Sequence, residues 1–235
     1  INWMYKGSPS ESLDGRSINQ ARGKTLGGSG AINGHIYNRG QRMDFDSWAQ
    51  KGNQGWGYAD ILPYFKRSEN KIGEGNPKFH GIGGPFTVTD VDEKNPLCDA
   101  FIDGAISLGI PHNKDYNGNT QEGIAYAQRS VYKGRRVSPA RAFIYPAMKS
   151  GKLEVITNAH IKKIKIENKR ATGVIYKRGD ASGPSMTLTA NREVILCAGA
   201  ISSPQILQLS GIGSAKHLSS IGVPLVHNLI GVGEN

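Results

Sequence analysis

Residues 23–40 read GKTLGGSGAINGHIYNRG and contain two adjacent glycines, Gly27 and Gly28. Because glycine lacks a Cβ, the backbone there can turn sharply and approach a ligand closely. We predict that a helix begins at Ser29, with free N–H groups and a positive dipole end that suit a phosphate or diphosphate. Asn33 would share a face with Ser29, and its amide can both donate and accept hydrogen bonds. The stretch fits a ligand with a phosphate and a polar heterocycle; a glycine-rich connector is the alternative.

A second stretch, residues 194–213, reads VILCAGAISSPQILQLSGIG and predicts a strand, a turn and a helix. Residues 194–198 form a short apolar run typical of a strand buried on both faces. Gly199 and Ala200 make the turn, a serine can cap the helix that follows, and Gly211 can end it. Ligands in open α/β sheets bind at such carboxyl ends of strands, so this turn is a second candidate contact. An ordinary strand–helix unit without a ligand is the alternative.

Residues 23–46 and 199–213 resemble the two signature segments of the glucose–methanol–choline (GMC) family of FAD-dependent oxidoreductases. The resemblance spans essentially the whole chain and is strongest to choline-dehydrogenase-like bacterial members. It implies an α/β (α+β) chain with a partial FAD-binding domain, including a β-meander, and part of an inserted substrate-binding domain. Shorter segments that also resemble the family lie at residues 55–58, 62–65, 79–85 and 136–143.

By this resemblance the chain divides into three parts. We expect residues 1–75 to be part of the FAD-binding domain with the glycine-rich flavin motif, and residues 76–150 to be part of the substrate-binding domain. Residues 151–235 then return to the FAD-binding domain with the β-meander and the second signature. The local patterns predict helices at residues 59–68, 96–108 and 138–149. They predict strands at residues 85–89, 125–132, 153–157, 161–166, 172–177, 186–189 and 194–198. The apolar face predicted for the second helix consists of Leu97, Phe101, Ala105 and Leu108.

The resemblance also implies that FAD is the cofactor. Ile32 stands where some family members carry a histidine that tethers the flavin covalently, and isoleucine has no nucleophilic atom. We therefore predict non-covalent FAD, with His35 as the less favoured tether. Ile161 matches a backbone contact to adenine, although a plain core strand residue is the simpler interpretation. The residues at positions that bind the cofactor in the family are Gly27, Gly28, Ser29, Asn33, Gly34, Ile36, Ile161, Gly199 and Ala200.

Two parts that the family requires are not found in these 235 residues. Family members begin with a Gly-x-Gly-x-x-Gly run that holds the ADP diphosphate. They take their catalytic base, a histidine beside a second histidine or an asparagine, from a later segment. We expect that segment beyond Asn235 and therefore assign no catalytic residue here. We accordingly expect an internal fragment that is inactive by itself.

For the whole protein, the resemblance implies oxidation of an alcohol to an aldehyde or ketone, with hydride transfer from the CH–OH carbon to flavin N5. Choline is one candidate alcohol, and the electron acceptor is left open between dioxygen and a carrier. Two alternatives remain: a relative that binds FAD as a hydroxynitrile lyase without redox turnover, and a non-catalytic fragment.

The charge, hydropathy and cysteine and histidine content limit the kinds of partner and site that we expect. The formal net charge is +10, but the lysines and arginines are scattered, so we predict no nucleic-acid partner. No apolar run approaches the roughly 20 residues that cross a bilayer, and we expect a cytoplasmic protein, with peripheral membrane association as the alternative. The two cysteines make no disulfide framework, and Cys197 is expected to be a buried, inert thiol. No histidines have metal-ligand spacing, so we predict no metal; His80, before Gly81, is interpreted as holding a loop.

Overall fold

A computed structural model of the chain describes residues 1–179 and 182–234. It divides into two compact units, Ile1–Glu154 and Val155–Asn235. Each unit mixes helices with short strands, which confirms the α/β (α+β) class.

The first unit holds three two-stranded sheets and four α-helices within the described residues. Its strands are β1 (Tyr5–Lys6), β2 (Asn19–Gln20), β3 (Glu69–Ile72), β4 (Phe86–Thr89), β5 (Val131–Tyr132) and β6 (Arg135–Arg136). Its α-helices are α1 (Arg42–Gln50), α2 (Tyr58–Ser68), α3 (Pro96–Ser107) and α4 (Tyr145–Lys149). Short 3-10 helices cover Glu11–Leu13 and Gly28–Ala31, and a π-helix covers Ala140–Ile144. Strands β3 and β4 pair in parallel, whereas the β1–β2 and β5–β6 pairs are antiparallel.

Helix α3 begins as its sequence predicts but buries a different face. The Asn95 side chain accepts a hydrogen bond from the Leu97 N–H, and proline occupies the first helical position. Ile102 is buried, whereas Leu97 and Phe101 are 81% and 72% exposed, so the predicted buried face is wrong. The Tyr126 hydroxyl bonds to Asp99, which lies three residues before Ile102 on the same helix face. The helix therefore faces the unit with Asp99 and Ile102, and its apolar stripe faces outward.

The second unit is built on an antiparallel meander. Strands β7 (Ala159–Glu167), β8 (Arg170–Arg178) and β9 (Ser185–Thr189) pair in that order, which confirms the strands predicted at 161–166, 172–177 and 186–189. Asn168 and Lys169, between the first two strands, both have positive φ, as a two-residue hairpin of the primed type requires. The remaining elements are α5 (Gly199–Leu209), β10 (Ile212–Gly213), α6 (Ala215–Ser220) and β11 (His227–Asn228), which pairs in parallel with β10.

Two predicted strands are wrong, those at residues 153–157 and 194–198. A strand needs a neighbour that completes its backbone hydrogen bonds, and within the described residues no strand pairs with either segment. Cys197, predicted to be buried, is accordingly exposed. The strand predicted at 125–132 is reduced to Val131–Tyr132, preceded by single bridges at Arg129.

One buried serine joins α5 to the meander. The Ser210 hydroxyl accepts a hydrogen bond from the Ile164 N–H at 2.8 Å and donates to the Ile206 carbonyl at 2.6 Å. Ser210, Ile164 and Ile206 are all buried. The hydroxyl therefore satisfies a strand N–H at the point where the helix covers the sheet.

We expect Ser210→Ala to leave the Ile164 N–H buried without a partner, at a cost of about 1–3 kcal/mol. Hydrogen–deuterium exchange of peptides from β7, measured in the intact gene product, should accelerate accordingly. Ser220→Ala is the matched control, because Ser220 also bonds a helix carbonyl but is exposed. Equal exchange in the two variants would contradict the assigned role.

Candidate functional site

The glycine pair turns as the sequence predicts, but the helix after it is shorter. Gly27 and Gly28 have φ of 87° and 55°, in the left-handed region that favours glycine. The predicted helix is a 3-10 turn over Gly28–Ala31, so Ser29 and Asn33 do not share a helix face. The Ser29 hydroxyl instead accepts a hydrogen bond from the Gly23 N–H at 3.1 Å. A short 3-10 turn thus stands in place of the predicted helix, and the Ser29 hydroxyl ties it to the residue at the start of the motif.

Two kinds of glycine occupy the turn. A Cβ on Gly23 would lie 2.2 Å from the Gly28 carbonyl oxygen, and one on Gly30 would lie 2.6 Å from Pro139. These two glycines serve the packing of the turn. A Cβ on Gly28 or Gly34, in contrast, would meet nothing within 4 Å. The open glycines therefore present bare backbone to the outside of the first unit.

Asn33 is exposed and is held by an arginine far along the chain. The Arg136 guanidinium donates to Asn33 Oδ1 and to the Asn33 carbonyl oxygen, both at 2.6 Å. The His35 N–H also donates to Asn33 Oδ1, at 3.0 Å. Arg136 is not among the site residues predicted from the sequence, because it follows Asn33 by 103 residues and no local pattern joins them.

A cavity of about 760 Å³ lies beside this pair in the first unit. Its lining includes the basic residues His35, Arg129 and Arg136 and the acidic residues Asp90 and Glu93. His35 Nδ1 and Arg129 Nε are buried without a hydrogen-bond partner among the described residues. The cavity thus offers both signs of charge to a small polar molecule.

The first unit also holds a buried ionic cluster, of which only the histidine, His80, could be singled out from the sequence. Glu69 is fully buried, and its Oε2 lies 2.9 Å from Arg39 Nη2 and 3.1 Å from His80 Nδ1. The Gly81 N–H donates to the same oxygen at 2.9 Å. His80 Nε2 lies 2.8 Å from Asp115 Oδ1. Because both ring nitrogens face carboxylate oxygens, both must donate, which favours the charged imidazolium.

Two buried amides connect this cluster to the end of the first signature. Asn117 accepts from the Arg39 N–H at 2.8 Å and donates to the Tyr37 carbonyl at 3.0 Å. It also donates to Gln128 Oε1 at 2.7 Å, while the Gln128 carbonyl accepts from the Tyr37 N–H at 2.8 Å. Backbone groups on both sides of Asn38 are therefore fixed by side chains from elsewhere in the unit.

The cluster shifts the titration of its members. Burial by itself raises the pKa of Glu69, but hydrogen bonds from His80 and Gly81 and the charge of Arg39 outweigh burial, so that pKa is lowered. Burial by itself lowers the pKa of His80, but its hydrogen bonds and charge interactions with Glu69 and Asp115 outweigh burial and raise it. Both shifts favour the charged forms that the geometry requires.

The remaining predicted site residues lie in the second unit, whereas Gly27, Gly28, Ser29, Asn33, Gly34 and Ile36 lie in the first. Ile161 is half-buried in β7, at a β-bulge where the pairing register shifts. Gly199 begins α5 with φ of 88°, and a Cβ there would meet nothing within 4 Å. Ala200 is exposed. Ser203 closes this turn by accepting a hydrogen bond from the Ala198 N–H at 3.0 Å.

These features fit the cofactor that the resemblance implies. In the first unit, Gly28 and Gly34 leave open space in which the backbone can approach a diphosphate. Asn33 adds an exposed amide for a polar ring. Across the described ranges, no group of three or more His, Cys, Asp and Glu residues could hold a metal ion. In the same ranges, every helix is too short or too polar to cross a membrane.

We expect Glu69→Gln to destabilise the protein by about 3–5 kcal/mol, because it leaves Arg39 as an uncompensated buried charge. Urea unfolding of the intact gene product measures the change. Glu167→Gln, which removes an exposed ion pair with Lys165, is the matched control and should have little effect. Similar losses in both variants would show that burial of the cluster does not matter.

His80 should also make stability depend on pH. A raised folded-state pKa contributes stability that is complete below the unfolded value of about 6.5 and is lost as pH rises through the folded value. The wild type should therefore lose more unfolding free energy than His80→Gln as pH rises above the unfolded value of about 6.5. His217→Gln, at an exposed histidine, should keep the wild-type slope. Parallel profiles for wild type and His80→Gln would disprove this linkage.

Comparison with known proteins shows which family the chain belongs to. A sequence profile of the family described as GMC oxidoreductase matches residues 3–235. The chain is 46% identical to "Oxygen-dependent choline dehydrogenase" of Staphylococcus xylosus and 47% identical to the protein of that name from Yersinia pseudotuberculosis. Each alignment covers 100% of this chain but only 41% of the relative, so the chain spans about two fifths of their length.

Two solved structures of similar proteins have the same fold over nearly all of this chain. Pyridoxine 4-oxidase from Mesorbium loti superposes with a TM-score of 0.88 at 31% identity, over 97% of this chain and 44% of that one. An FAD-dependent oxidoreductase from Chaetomium thermophilum gives a TM-score of 0.91 at 26% identity, over 97% and 41% of the two chains. With a family match that covers nearly every residue, the chain belongs to the GMC oxidoreductase family.

Proposed function

We propose that the protein containing this chain is an FAD-dependent oxidoreductase that oxidises an alcohol to an aldehyde or ketone. The family match over residues 3–235 is the observation that carries the proposal. The names of its relatives support an alcohol as substrate, since they are choline dehydrogenases at 46% and 47% identity. Choline is therefore the first alcohol to test.

The chain's own part in this reaction is to hold the cofactor. Gly27 and Gly28 would bring backbone close to the diphosphate, and Asn33 would contact the flavin ring. In the second unit, Gly199 and Ala200 would contact the cofactor at the start of α5. Ile161 would contact it with its backbone, at the bulge in β7. Bound FAD supplies the two-electron acceptor for oxidation of the alcohol. We propose non-covalent binding because Ile32 occupies the tether position of some family members.

We further propose that residues 1–75 and 151–235 contribute to the FAD-binding domain and residues 76–150 to the substrate-binding domain. The catalytic base is proposed to come from a histidine outside this chain, with no catalytic residue assigned within it. The electron acceptor is proposed to be dioxygen or a carrier, and relatives named oxygen-dependent favour dioxygen.

The test is the absorption spectrum of the intact gene product. We expect flavin bands that move fully into the supernatant after acid precipitation, because no covalent bond retains the cofactor. Under anaerobic conditions, one member of a primary-alcohol panel that includes choline should bleach the bands. The same panel mixed with free FAD is the control.

Three results would contradict the proposal in different ways. Bands that no alcohol bleaches would favour a lyase-like relative that binds FAD without redox turnover. Flavin that stays with the precipitate would overturn non-covalent binding. An intact protein without flavin, even after reconstitution, would overturn the cofactor and favour a non-catalytic role.

A further inference from the structure

The contact between Arg136 and Asn33 fixes which way the asparagine amide points. Asn33 Oδ1 receives hydrogen bonds from Arg136 Nη1 at 2.6 Å and from the His35 N–H at 3.0 Å. A guanidinium and a backbone N–H can only donate, so the atom between them must be the amide oxygen. The orientation therefore follows from the partners and does not depend on telling oxygen from nitrogen.

Once the oxygen is fixed, the chemistry of the exposed end is also fixed. Two donors use both lone pairs of Asn33 Oδ1, which leaves the Nδ2 group with its two N–H donors for an outside partner. Asn33 can then serve a ligand only as a donor to a carbonyl oxygen or a ring nitrogen. The nearby positive charge of Arg136 strengthens such a donor by polarising the amide.

Arg136 is itself held in place. It belongs to the β5–β6 hairpin, whose turn residues Lys133 and Gly134 have φ of 49° and 69°, as a primed two-residue turn requires. Ser130, at the base of the hairpin, donates its N–H to the His35 carbonyl at 2.8 Å. The hairpin is therefore tied to the chain two residues after Asn33.

We propose that Arg136 is a positioning residue for the flavin: it locks the Asn33 amide so that its N–H donors face an acceptor on the flavin ring. This inference rests on the proposed function, because it needs FAD beside Asn33. The second hydrogen bond, from Arg136 Nη2 to the Asn33 carbonyl oxygen at 2.6 Å, fixes the backbone as well as the side chain. A lysine offers one nitrogen in place of the planar fork whose two nitrogens make these contacts, so it would hold Asn33 less firmly.

The experiment compares five versions of the intact gene product: wild type, Arg136→Met, Arg136→Lys, Arg135→Met and Asn33→Asp. Arg135 is the exposed neighbour on the same strand and serves as the matched control. Asn33→Asp keeps an acceptor for Arg136 but removes the N–H donors. FAD affinity is measured by quenching of flavin fluorescence on titration into apoprotein. Band positions are read from the bound flavin, and thermal unfolding of the apoprotein checks folding.

We expect Arg136→Met to weaken FAD binding roughly tenfold, the order expected for losing charge-assisted contacts. The flavin bands should move in both Arg136→Met and Asn33→Asp, and apoprotein unfolding should match that of Arg135→Met. Arg136→Lys should restore binding only partly.

Equal affinities and unshifted bands in Arg136→Met and Arg135→Met would overturn the inference while leaving FAD binding intact. If Arg136→Met does not fold, Asn33→Asp tests the inference instead. An unchanged flavin spectrum in Asn33→Asp would exclude an amide donor to the flavin. A wild type that binds no FAD would instead overturn the proposed function, and this inference with it.

Discussion

The buried carboxylate of Glu69 is the constraint on which the first unit depends. A charge removed from water is tolerated only when its partners are close and well placed. Arg39, His80 and the Gly81 N–H supply those partners around a single oxygen. Because Arg39 belongs to the first signature and the other two belong to the loop after β3, the ion cluster fixes the distance between these segments.

The candidate cofactor segment is thereby held from both directions. At its start, Gly23 and Gly30 pack so closely that a single methyl group would collide with Gly28 or Pro139. At its end, Asn117 and the ion cluster hold Arg39. The part between them, around Gly28, Asn33 and Gly34, stays exposed or half-buried, with open space beside its two glycines. A rigid frame around an accessible loop is what a preorganised binding site requires.

Local sequence patterns correctly predicted the features that depend on residues close together in the sequence. The start of α3 at Pro96, the three meander strands and the sharp turn at Gly27 and Gly28 depend on residues within a few positions. The missed features depend on distant partners. The strand expected at 194–198 lacks a pairing strand among the described residues, and α3 buries Ile102 on the face where Asp99 contacts the distant Tyr126. The ion cluster and the Arg136–Asn33 contact join residues that no periodicity relates.

The separation of 103 residues between Asn33 and Arg136 also bears on how the protein is made. A ribosome that adds about 5–20 residues per second needs roughly 5–20 s to reach Arg136 after it has passed Asn33. During that interval the glycine-rich loop has emerged, but the residue that orients its asparagine has not been synthesised. The conformation that Arg136 gives this loop must therefore be completed after Arg136 has been synthesised, however early the loop itself leaves the ribosome.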